Sequence, residues 1–317
     1  MCKSFRRSGP GQHRYMAVND VSLILQTGQV LAVVGESGSG KSTLARTIVG
    51  LLKADSGRVE FEGRDITHLR GAAWRRLRRR MQIVFQDPAA ALNPRHSVRQ
   101  ALVEPLRAHA MDTPQSTGEQ VLVALETVGL DRELLNCFPH ELSGGQRQRV
   151  ALARALILKP RLLLADEVVS ALDVSVQARI LNLLMDLKCK LGISLLFISH
   201  DLASVHFIAD RVVVMYLGRV VESGSSTQVL SGPAHPYTRA LLQAVPGVDP
   251  ARRFTLYPEV NQALAGDPAT MGCAYHTICP HALAVCRKKA PPSVTVGDTG
   301  ALHRVSCHLF SGDHNTA

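Results

Sequence analysis

Nine consecutive residues near the start of the chain have the types and spacing needed to hold a polyphosphate. They are Gly35, Glu36, Ser37, Gly38, Ser39, Gly40, Lys41, Ser42 and Thr43. Glycines let successive backbone N–H groups turn toward phosphate oxygens, and a helix that starts there adds partial positive charge. We expect Lys41 to reach the β- and γ-phosphates and the Ser42 hydroxyl to ligate Mg²⁺. The segment predicts an ATP- or GTP-binding loop; the alternative is that its glycines only form a turn.

Two adjacent acids, Asp166 and Glu167, follow the apolar residues 162–165. A carboxylate at the end of a buried strand is well placed for chemistry on a nucleotide. We expect Asp166 to hold the Mg²⁺ shell and Glu167 to orient and polarise the attacking water. Alone, such a pair is more often a solvated turn or a helix cap, so the catalytic interpretation depends on the loop at residues 35–43.

A third segment, Leu142 followed by Ser143, Gly144, Gly145 and Gln146, precedes residues whose apolar positions repeat at helical spacing. Serine and free backbone N–H groups at a helix start offer a second anion site. No phosphate of its own is evident for that site.

The elements that must position these residues form an alternating pattern between residues 18 and 245. Helical segments separate short aliphatic runs, which predicts a mostly parallel sheet flanked by helices. The predicted strands are residues 30–34, 82–85, 161–165, 194–198 and 211–217. A Pro- and Gly-rich hinge near residue 246 predicts a boundary between domains 1–245 and 246–317.

The amino-acid composition limits the classes of protein to which the chain can belong. Apolar residues make up 46% of the 317, charged residues 20% and aromatic residues 4%, which excludes collagen-like, mucin-like and strongly disordered chains. The net charge of +10 favours an anionic partner. No apolar run approaches the roughly 18 residues of a membrane span. No apolar segment follows the basic N-terminal residues, so we expect a cytosolic chain without disulfides.

These motifs, in this order, resemble those of ATP-binding cassette (ABC) transporter ATPases. Residues 35–43 resemble the Walker A loop, residues 142–146 the signature and residues 162–167 the Walker B strand. The resemblance implies an α/β P-loop NTPase fold with a RecA-like parallel-sheet core, an antiparallel β-lobe near the N-terminus and a helical lobe over residues 88–154. A cysteine-rich C-terminal extension follows this cassette.

The resemblance also assigns residues outside these three motifs. Gln86 matches the glutamine that touches Mg²⁺ and water and relays nucleotide state to membrane subunits. Residues 170–173 match the D-loop at the dimer interface, and His200 matches the histidine that contacts the γ-phosphate. The adenine-stacking aromatic is expected to be Phe5, with Tyr15 as the alternative; either ring would contribute about 1–3 kcal/mol.

In that family two ATPases pair head to tail, so residues 143–146 of one subunit close on ATP held at residues 35–43 of the other. The implied partners are two transmembrane permease subunits, a second ABC ATPase that is identical or related and, indirectly, an extracytoplasmic solute-binding protein. Nucleic acid is not expected. The implied location is the cytoplasmic face of the bacterial cytoplasmic membrane. The family often has proline after the Walker B glutamate; Val168 takes that place here, and we expect a local backbone difference.

Residues 92–95, 175–177 and 235–242 resemble the ATPase subunits of oligopeptide and dipeptide importers, which implies peptide uptake. Nickel and glutathione importers share much of this pattern and remain alternatives, because other subunits choose the solute. A soluble ABC ATPase of translation or DNA repair is a third possibility, supported only by the basic charge.

Four cysteines crowd the end of the chain as C-x5-C-x6-C-x20-C; they are Cys273, Cys279, Cys286 and Cys307. Four thiolates suit an iron–sulfur cluster or tetrahedral zinc. The pattern resembles the motif that holds a 4Fe-4S cluster in some peptide-importer ATPases. Zinc, with or without nearby histidines, and free thiols remain open. The extension is too small to build a large core unaided, which favours a structural role.

Overall fold

The computed structural model describes six stretches of the chain. They are residues 1–6, 14–113, 115–170, 172–244, 272–297 and 303–311. Two compact units are formed, the first from Met1–Ile24, Leu31–Val59 and His200–Ala317, the second from Leu25–Val30 and Glu60–Ser199. The boundary predicted at residue 246 and the hinge around it lie outside the described residues.

The strands are short, as in most α/β proteins. In chain order they are β1 (Lys3–Arg6), β2 (Arg14–Val18), β3 (Val30–Val34), β4 (Glu60–Phe61), β5 (Arg64–Asp65), β6 (Met81–Val84), β7 (Leu162–Asp166), β8 (Ser194–Ser199), β9 (Arg211–Tyr216), β10 (Arg219–Ser225), β11 (Ser293–Thr295) and β12 (Arg304–Ser306).

The α-helices are longest in the second unit. In chain order they are α1 (Lys41–Ile48), α2 (Gly71–Arg78), α3 (Pro88–Ala91), α4 (Val98–Ala108), α5 (Thr117–Thr127), α6 (Gly144–Leu156), α7 (Val174–Leu191), α8 (Leu202–Ile208), α9 (Ser226–Ser231) and α10 (Pro236–Gln243). Within the described part of the chain, none of them combines the length and the apolarity that a bilayer span requires.

In the first unit, strands follow the order β11, β12, β10, β9, β3. β3 lies parallel to β9, whereas the other neighbours are antiparallel. All of β3 is buried and aliphatic, as a strand covered on both faces should be. β1 and β2 form a separate antiparallel pair, in keeping with the predicted N-terminal β-lobe.

In the second unit, β6, β7 and β8 are parallel, with β7 in the middle and wholly buried. Asp166, the last residue of β7, is in register with Ile198 of β8. Helices α3 to α6 span most of the segment for which a helical lobe is predicted.

The five predicted strands are each found within one residue of their expected ends. The helices begin earlier than the apolar spacing alone indicates: α1 begins at Lys41 and α6 at Gly144. In both, the first turn consists of loop-motif residues whose small or polar side chains carry no periodic apolar signal.

The cysteine-rich extension adds to the sheet of the first unit through a strand that sequence patterning did not reveal. β12 pairs with β10, with Glu222 opposite Val305. Val305 is fully buried and packs with Ala234 and Cys307 in a small apolar cluster. The extension thus gains a core by joining an existing sheet, which suits a segment too small to build one alone.

Candidate functional site

The predicted phosphate-binding loop, residues 35–43, runs from the end of β3 to the start of α1. Gly40 occupies the N-cap position of α1 in the left-handed conformation, and no side chain in the described structure caps this helix start. Helix N-termini attract anions because their N–H groups and dipole both favour negative charge. The backbone of this segment therefore suits a phosphate group.

Carbonyl oxygens of the loop itself hold the Lys41 ammonium in place. Its Nζ donates to the carbonyl oxygens of Gly35 and Glu36, both at 2.8 Å, and the side chain is only 4% exposed. A buried ammonium needs anionic or polar partners, and phosphate oxygens would supply them in the predicted role.

Two glycines of the loop could not be replaced without moving backbone. A Cβ at Gly35 would lie 2.2 Å from the Met215 carbonyl oxygen, and one at Gly40 would lie 2.0 Å from that of Ala17. Both glycines have positive φ, 149° and 100°. Close approach and left-handed backbone, which only glycine satisfies together, fix the path of the loop.

The Glu36 carboxyl lies partly buried in the same turn. Burial raises its pKa, while the positive charge of Lys41 acts in the opposite direction. The turn thus brings an acid and a cation together beside the predicted phosphate position.

Asp166 and Glu167 differ in their surroundings although they are neighbours. Asp166 ends β7 and is 3% exposed, whereas Glu167 is half-buried and adopts left-handed backbone with φ 51°. The Glu167 amide donates to the Ile198 carbonyl at 3.0 Å. Non-glycine residues in this region are uncommon and are found disproportionately at functional sites.

Gln86 and the segment after Glu167 meet through Ser170. The Gln86 Nε2 donates to the Ser170 Oγ at 3.3 Å, and that hydroxyl donates to the Glu167 carbonyl at 2.9 Å. The second unit thereby brings together three predicted elements: Gln86, the Walker B acid and the D-loop serine. The sequence pattern predicts Ser170 as part of the D-loop but does not indicate this bridging position; its only signal is a serine three residues after the acid.

His200 is exposed and directly follows β8. The next residue, Asp201, caps α8 by accepting from the amides of Ala203 and Ser204. This cap fixes the backbone immediately after His200 and leaves its ring on the surface of the first unit.

The signature segment forms the start of α6 in the second unit. Ser143 caps the helix by accepting from the Gln146 amide at 3.2 Å, and the Gln146 Oε1 accepts from the Ser143 amide at 2.9 Å. This reciprocal pair is a capping box. A Cβ at Gly145 would lie 2.7 Å from Val176 Cγ1, so the glycine lets the start of α6 approach α7.

The two candidates for adenine stacking face each other across the β1–β2 pair. Phe5 lies opposite Tyr15, their rings stacked with centroids 5.8 Å apart. Lys3 Nζ lies 5.4 Å from the Phe5 ring centroid, within cation–π range. The structure thus places both candidates in one aromatic pair on the first unit, and 42% of Tyr15 is exposed.

The four cysteines of the extension carry free thiols, and their charges act on one another's ionisation. Burial raises the pKa of Cys273 to about 11, and the other three thiols raise it further. Burial also raises the pKa of Cys307, with contributions from Cys279 and Cys286. The donor set suits a thiolate-bound metal. Among the described residues, however, no three His, Cys, Asp or Glu side chains converge into a metal-holding group.

The histidines of the extension have other partners. His276 Nδ1 lies 2.7 Å from the Cys273 carbonyl oxygen, and His303 Nε2 lies 2.7 Å from a carboxylate oxygen of Glu222. His308 Nε2 lies 2.9 Å from the Lys289 carbonyl oxygen. Each contact uses one ring nitrogen, and a zinc-binding imidazole commonly makes such a contact with its second nitrogen, so a mixed Cys/His zinc site stays an alternative.

Two protein families match separate parts of the chain. One, described as ABC transporter, matches residues 18–170. The other, described as oligopeptide/dipeptide transporter, C-terminal region, matches residues 221–286.

Two similar proteins are both named as ATP-binding proteins of peptide transport. A peptide ABC transporter ATP-binding protein of Sinorhizobium fredii is 50% identical over 92% of this chain and 82% of its own. A peptide import ATP-binding protein of Brucella abortus is 47% identical over 93% of this chain and 86% of its own.

Solved structures with the same fold are ATP-binding cassettes. The dimeric post-hydrolysis state of one cassette, bound to ADP and Pi, aligns with TM-score 0.64 and 28% identity over 71% of this chain and 96% of that one. A Clostridium perfringens cassette, part of an ABC transporter complex, aligns with TM-score 0.63 and 31% identity over 72% of this chain and 88% of that one.

The predicted fold class is confirmed by these structural neighbours: the chain has the ABC cassette fold of the P-loop NTPases. An ATPase of this kind uses ATP together with Mg²⁺. On sequence identity, family match and fold, the chain belongs to the ABC transporter family, as one of its ATP-hydrolysing ATP-binding proteins, and carries the C-terminal region of the oligopeptide/dipeptide type.

Proposed function

We propose that this protein hydrolyses ATP to power uptake of di- and oligopeptides through separate transmembrane subunits. The observation that carries the proposal is the 50% identity to a peptide ABC transporter ATP-binding protein over 92% of the chain. The oligopeptide/dipeptide C-terminal match at residues 221–286 supports the same substrate class. Nickel and glutathione are the alternative solutes, since the ATPase chemistry does not select cargo.

The proposed roles in ATP hydrolysis follow the family pattern. Lys41 and the loop amides bind the β- and γ-phosphates. Ser42, Gln86 and Asp166 are the proposed Mg²⁺ ligands, and the buried carboxylate of Asp166 at a strand end fits a cation. Mg²⁺, when bound, would neutralise phosphate charge.

The proposed catalytic residues are Glu167, His200 and Gln86. Glu167 orients the water and accepts its proton, and His200 contacts the γ-phosphate. Gln86 senses the nucleotide, and its bond to Ser170 joins it to the backbone of Glu167.

The catalytic assignment is tested by Glu167→Gln, which keeps the shape of the side chain but removes its basicity. Because general-base catalysis contributes about 10²–10⁴-fold, turnover should fall at least about 100-fold while ATP binding is retained. The exposed Glu119 on α5 provides the control: Glu119→Gln should leave the rate unchanged. Normal hydrolysis by Glu167→Gln would show that another group activates the water.

The proposed assembly contains two such ATPases, identical or related, and two permease subunits, with an extracytoplasmic solute-binding protein acting on the far side. Residues 143–146 of one ATPase would close over nucleotide held at residues 35–43 of the other. The dimeric cassette among the structural relatives supports this pairing. Within each chain we propose a cassette over residues 1–245 and an extension over 246–317.

A groove in the second unit is the proposed docking surface for a permease helix. It has a volume of about 220 Å³ and lies directly before Gln86, with Val84, Phe85 and Pro105 among its apolar lining and Arg78 and Arg154 among its basic lining. A short helix with an apolar face and acidic residues would match this surface.

Filling the groove tests the docking proposal. Ala108 lines it and is exposed, so Ala108→Trp should abolish co-purification of permeases while ATP binding persists. Val123→Trp, on the exposed face of α5, is the control and should leave the complex intact. Retention of permeases by Ala108→Trp would exclude this groove as their docking site.

We also propose that the four extension cysteines hold a 4Fe-4S cluster, with zinc and free thiols as alternatives. Burial raises the pKa of Cys273, Cys279 and Cys307, which supports a site that would gain from a bound cation. Iron, sulfide and zinc should be assayed in full-length protein purified without air. Cys273→Ser with Cys286→Ser should abolish metal retention, and Cys189→Ser, at an exposed cysteine of the second unit, should not.

The proposed location is the cytoplasmic face of the bacterial cytoplasmic membrane, where the permeases would hold the protein. Purification of the tagged protein from native cells in mild detergent, followed by mass spectrometry, tests partners and purpose together. Polytopic subunits and a second ABC ATPase are expected. Ribosomal or DNA-repair partners alone would instead support the soluble alternative.

A further inference from the structure

The hydroxyl of Tyr237 contacts the phosphate-binding loop from within the first unit. Tyr237 belongs to α10, and the Glu36 amide donates to its Oη at 3.0 Å. The tyrosine is 1% exposed, so water cannot readily replace this acceptor. The bond is partly buried, and an amide that loses its acceptor in such a place carries a desolvation penalty.

The two carbonyl groups next to this amide in the chain also bind Lys41. The carbonyls of Gly35 and Glu36 both accept from Lys41 Nζ. The turn is therefore held between the Tyr237 hydroxyl and the lysine ammonium. A shift of the Glu36 peptide would move the carbonyls that position the lysine.

Tyr237 is itself fixed by packing against two other tyrosines. Its ring centroid lies 4.6 Å from that of Tyr216 on β9 and 5.5 Å from that of Tyr275. Tyr275 belongs to the cysteine-rich extension, two residues after Cys273, and meets Tyr216 edge-on at 5.3 Å. All three are at most 3% exposed. The extension thus completes the enclosure around the Tyr237 ring.

The backbone of Tyr237 is fixed as well. Its amide donates to His235 Nδ1 at 3.0 Å. The His235 amide donates in turn to the buried carboxylate of Glu222, which also contacts His303 of the extension. Packing and hydrogen bonds therefore leave the Tyr237 hydroxyl in one position.

We infer that Tyr237 is a positioning residue for nucleotide binding, and that Tyr275 of the cysteine-rich extension holds it in place. Tyr237 does not touch the nucleotide. It orders the turn at Glu36, which in turn places Lys41 and the following amides for the β-phosphate. The extension thereby contributes to ATP binding, whatever its cysteines bind and whichever solute is transported.

The test compares two tyrosines of the same cluster. Tyr237→Phe removes the acceptor of the Glu36 amide but keeps the ring. Tyr216→Phe is the matched control, because the buried Tyr216 hydroxyl has no hydrogen-bond partner in the described structure. Calorimetric titration of each full-length chain with Mg²⁺·ADP gives affinity without hydrolysis or dimerisation.

We expect Tyr237→Phe to weaken Mg²⁺·ADP binding about three- to tenfold, as loss of one hydrogen bond implies. Tyr216→Phe should bind within about 1.5-fold of the unaltered chain, since no hydrogen bond is lost. Equal affinities of the two variants would overturn the assignment.

Amide hydrogen exchange provides a readout that general destabilisation does not mimic. In Tyr237→Phe the peptide containing Glu36 should exchange faster while β7 and β8 remain protected. If Tyr237→Phe proves unstable, faster exchange confined to this loop still supports the inference, and uniformly faster exchange overturns it.

The contribution of the extension is tested at Tyr275. Tyr275→Ala opens the cluster and should produce faster loop exchange and weaker ADP binding like those of Tyr237→Phe. Added to Tyr237→Phe, it should weaken ADP binding little further, because both act through one hydroxyl. Unchanged loop exchange in Tyr275→Ala would exclude the extension from this role.

Discussion

Two glycine-rich helix starts in this protein look alike in sequence and differ in structure. At the phosphate-binding loop, α1 starts from the left-handed Gly40, and no side chain within the described residues caps it. At the signature, Ser143 and Gln146 cap α6 reciprocally. One helix start is left open to an external anion, and the other satisfies part of its own polar backbone.

The difference indicates distinct ways of using a helix N-terminus. The loop before α1 has its own cation, Lys41, so one chain supplies both the charge and the backbone of the proposed phosphate site. The signature has no buried lysine of its own and keeps its Ser143 hydroxyl engaged. It is suited to meet a phosphate that another subunit already holds, which agrees with the proposed head-to-tail dimer.

Among substitutions at the two helix starts, we expect the largest effect at Gly40. A methyl group there meets the Ala17 carbonyl at 2.0 Å while φ is 100°, so backbone must move. Gly40→Ala should therefore lower the free energy of unfolding by about 3 kcal/mol or more and abolish measurable Mg²⁺·ADP binding. Urea unfolding and calorimetry measure the two effects.

Gly144 of the signature offers the matched substitution. Its Cβ would meet nothing closer than Leu172 Cδ2 at 3.7 Å, and alanine favours helix. Gly144→Ala should be neutral or stabilising in urea. Equal loss of stability at Gly40 and Gly144 would show that the signature tolerates a side chain as poorly as the loop does.

Acid should affect the support of the phosphate-binding loop before it affects the signature. Burial lowers the pKa of His235, which caps the helix of Tyr237, to about 4. Between pH 6.5 and 4 the unfolded chain binds a proton that the folded chain does not, so stability falls as pH decreases. The loss from this group amounts to as much as about 3 kcal/mol.

On the signature side, the Val176 amide and the Ser175 hydroxyl lower the pKa of Asp173, the cap of α7. Its contribution is present above pH 3.8 and is lost as pH falls through the lowered pKa. Unfolding free energies should be measured from pH 7 to 3. His235→Asn should flatten the slope between pH 6.5 and 4, and Asp173→Asn only below pH 4. An unchanged slope in His235→Asn would show that other groups titrate there.

Packing at the signature can be altered without touching its cap. A methyl group at Gly145 would press on Val176 Cγ1 at 2.7 Å, and valine has little freedom to turn away. Gly145→Ala should destabilise by about 1–2 kcal/mol, and Val176→Ala in the same chain should restore most of it. A double-mutant cycle in urea gives the coupling; additive effects would argue against this contact.

Local sequence sufficed to place residues 35–43 after β3 and Asp166 at the end of β7, because the aliphatic run of each strand is visible by itself. It sufficed less well for the helix starts, since the residues of the first turns of α1 and α6 serve the loop motifs and carry no apolar period. The order of the motifs along the chain identified the fold.

Contacts between distant parts of the chain could not be predicted. Glu222 has the charge of a solvent-facing strand residue, yet it is 1% exposed because His303, 81 residues away, bonds to it. β12 is three residues long, too short to show alternation. Tyr275 likewise has no local pattern that indicates its packing against Tyr237. These contacts attach the extension and carry its proposed effect on the loop.

Removing the cap of the signature helix should have the smallest effect on stability and should affect only the pairing of two subunits. Ser143→Ala removes the acceptor of the Gln146 amide, and loss of such a cap costs about 1 kcal/mol. Mg²⁺·ADP binding to the single chain should not change, because the phosphate-binding loop is untouched. ATP-driven pairing, measured by light scattering in the Glu167→Gln background, should be lost.

Ser143→Asn separates capping from phosphate contact at the same position. Asparagine caps as well as serine, so unfolding stability should return. Its larger amide should not fit the partner's nucleotide, so pairing should remain impaired. If Ser143→Asn restored pairing as well as stability, the cap alone would matter, and the signature hydroxyl would have no separate role in meeting the second subunit's phosphate.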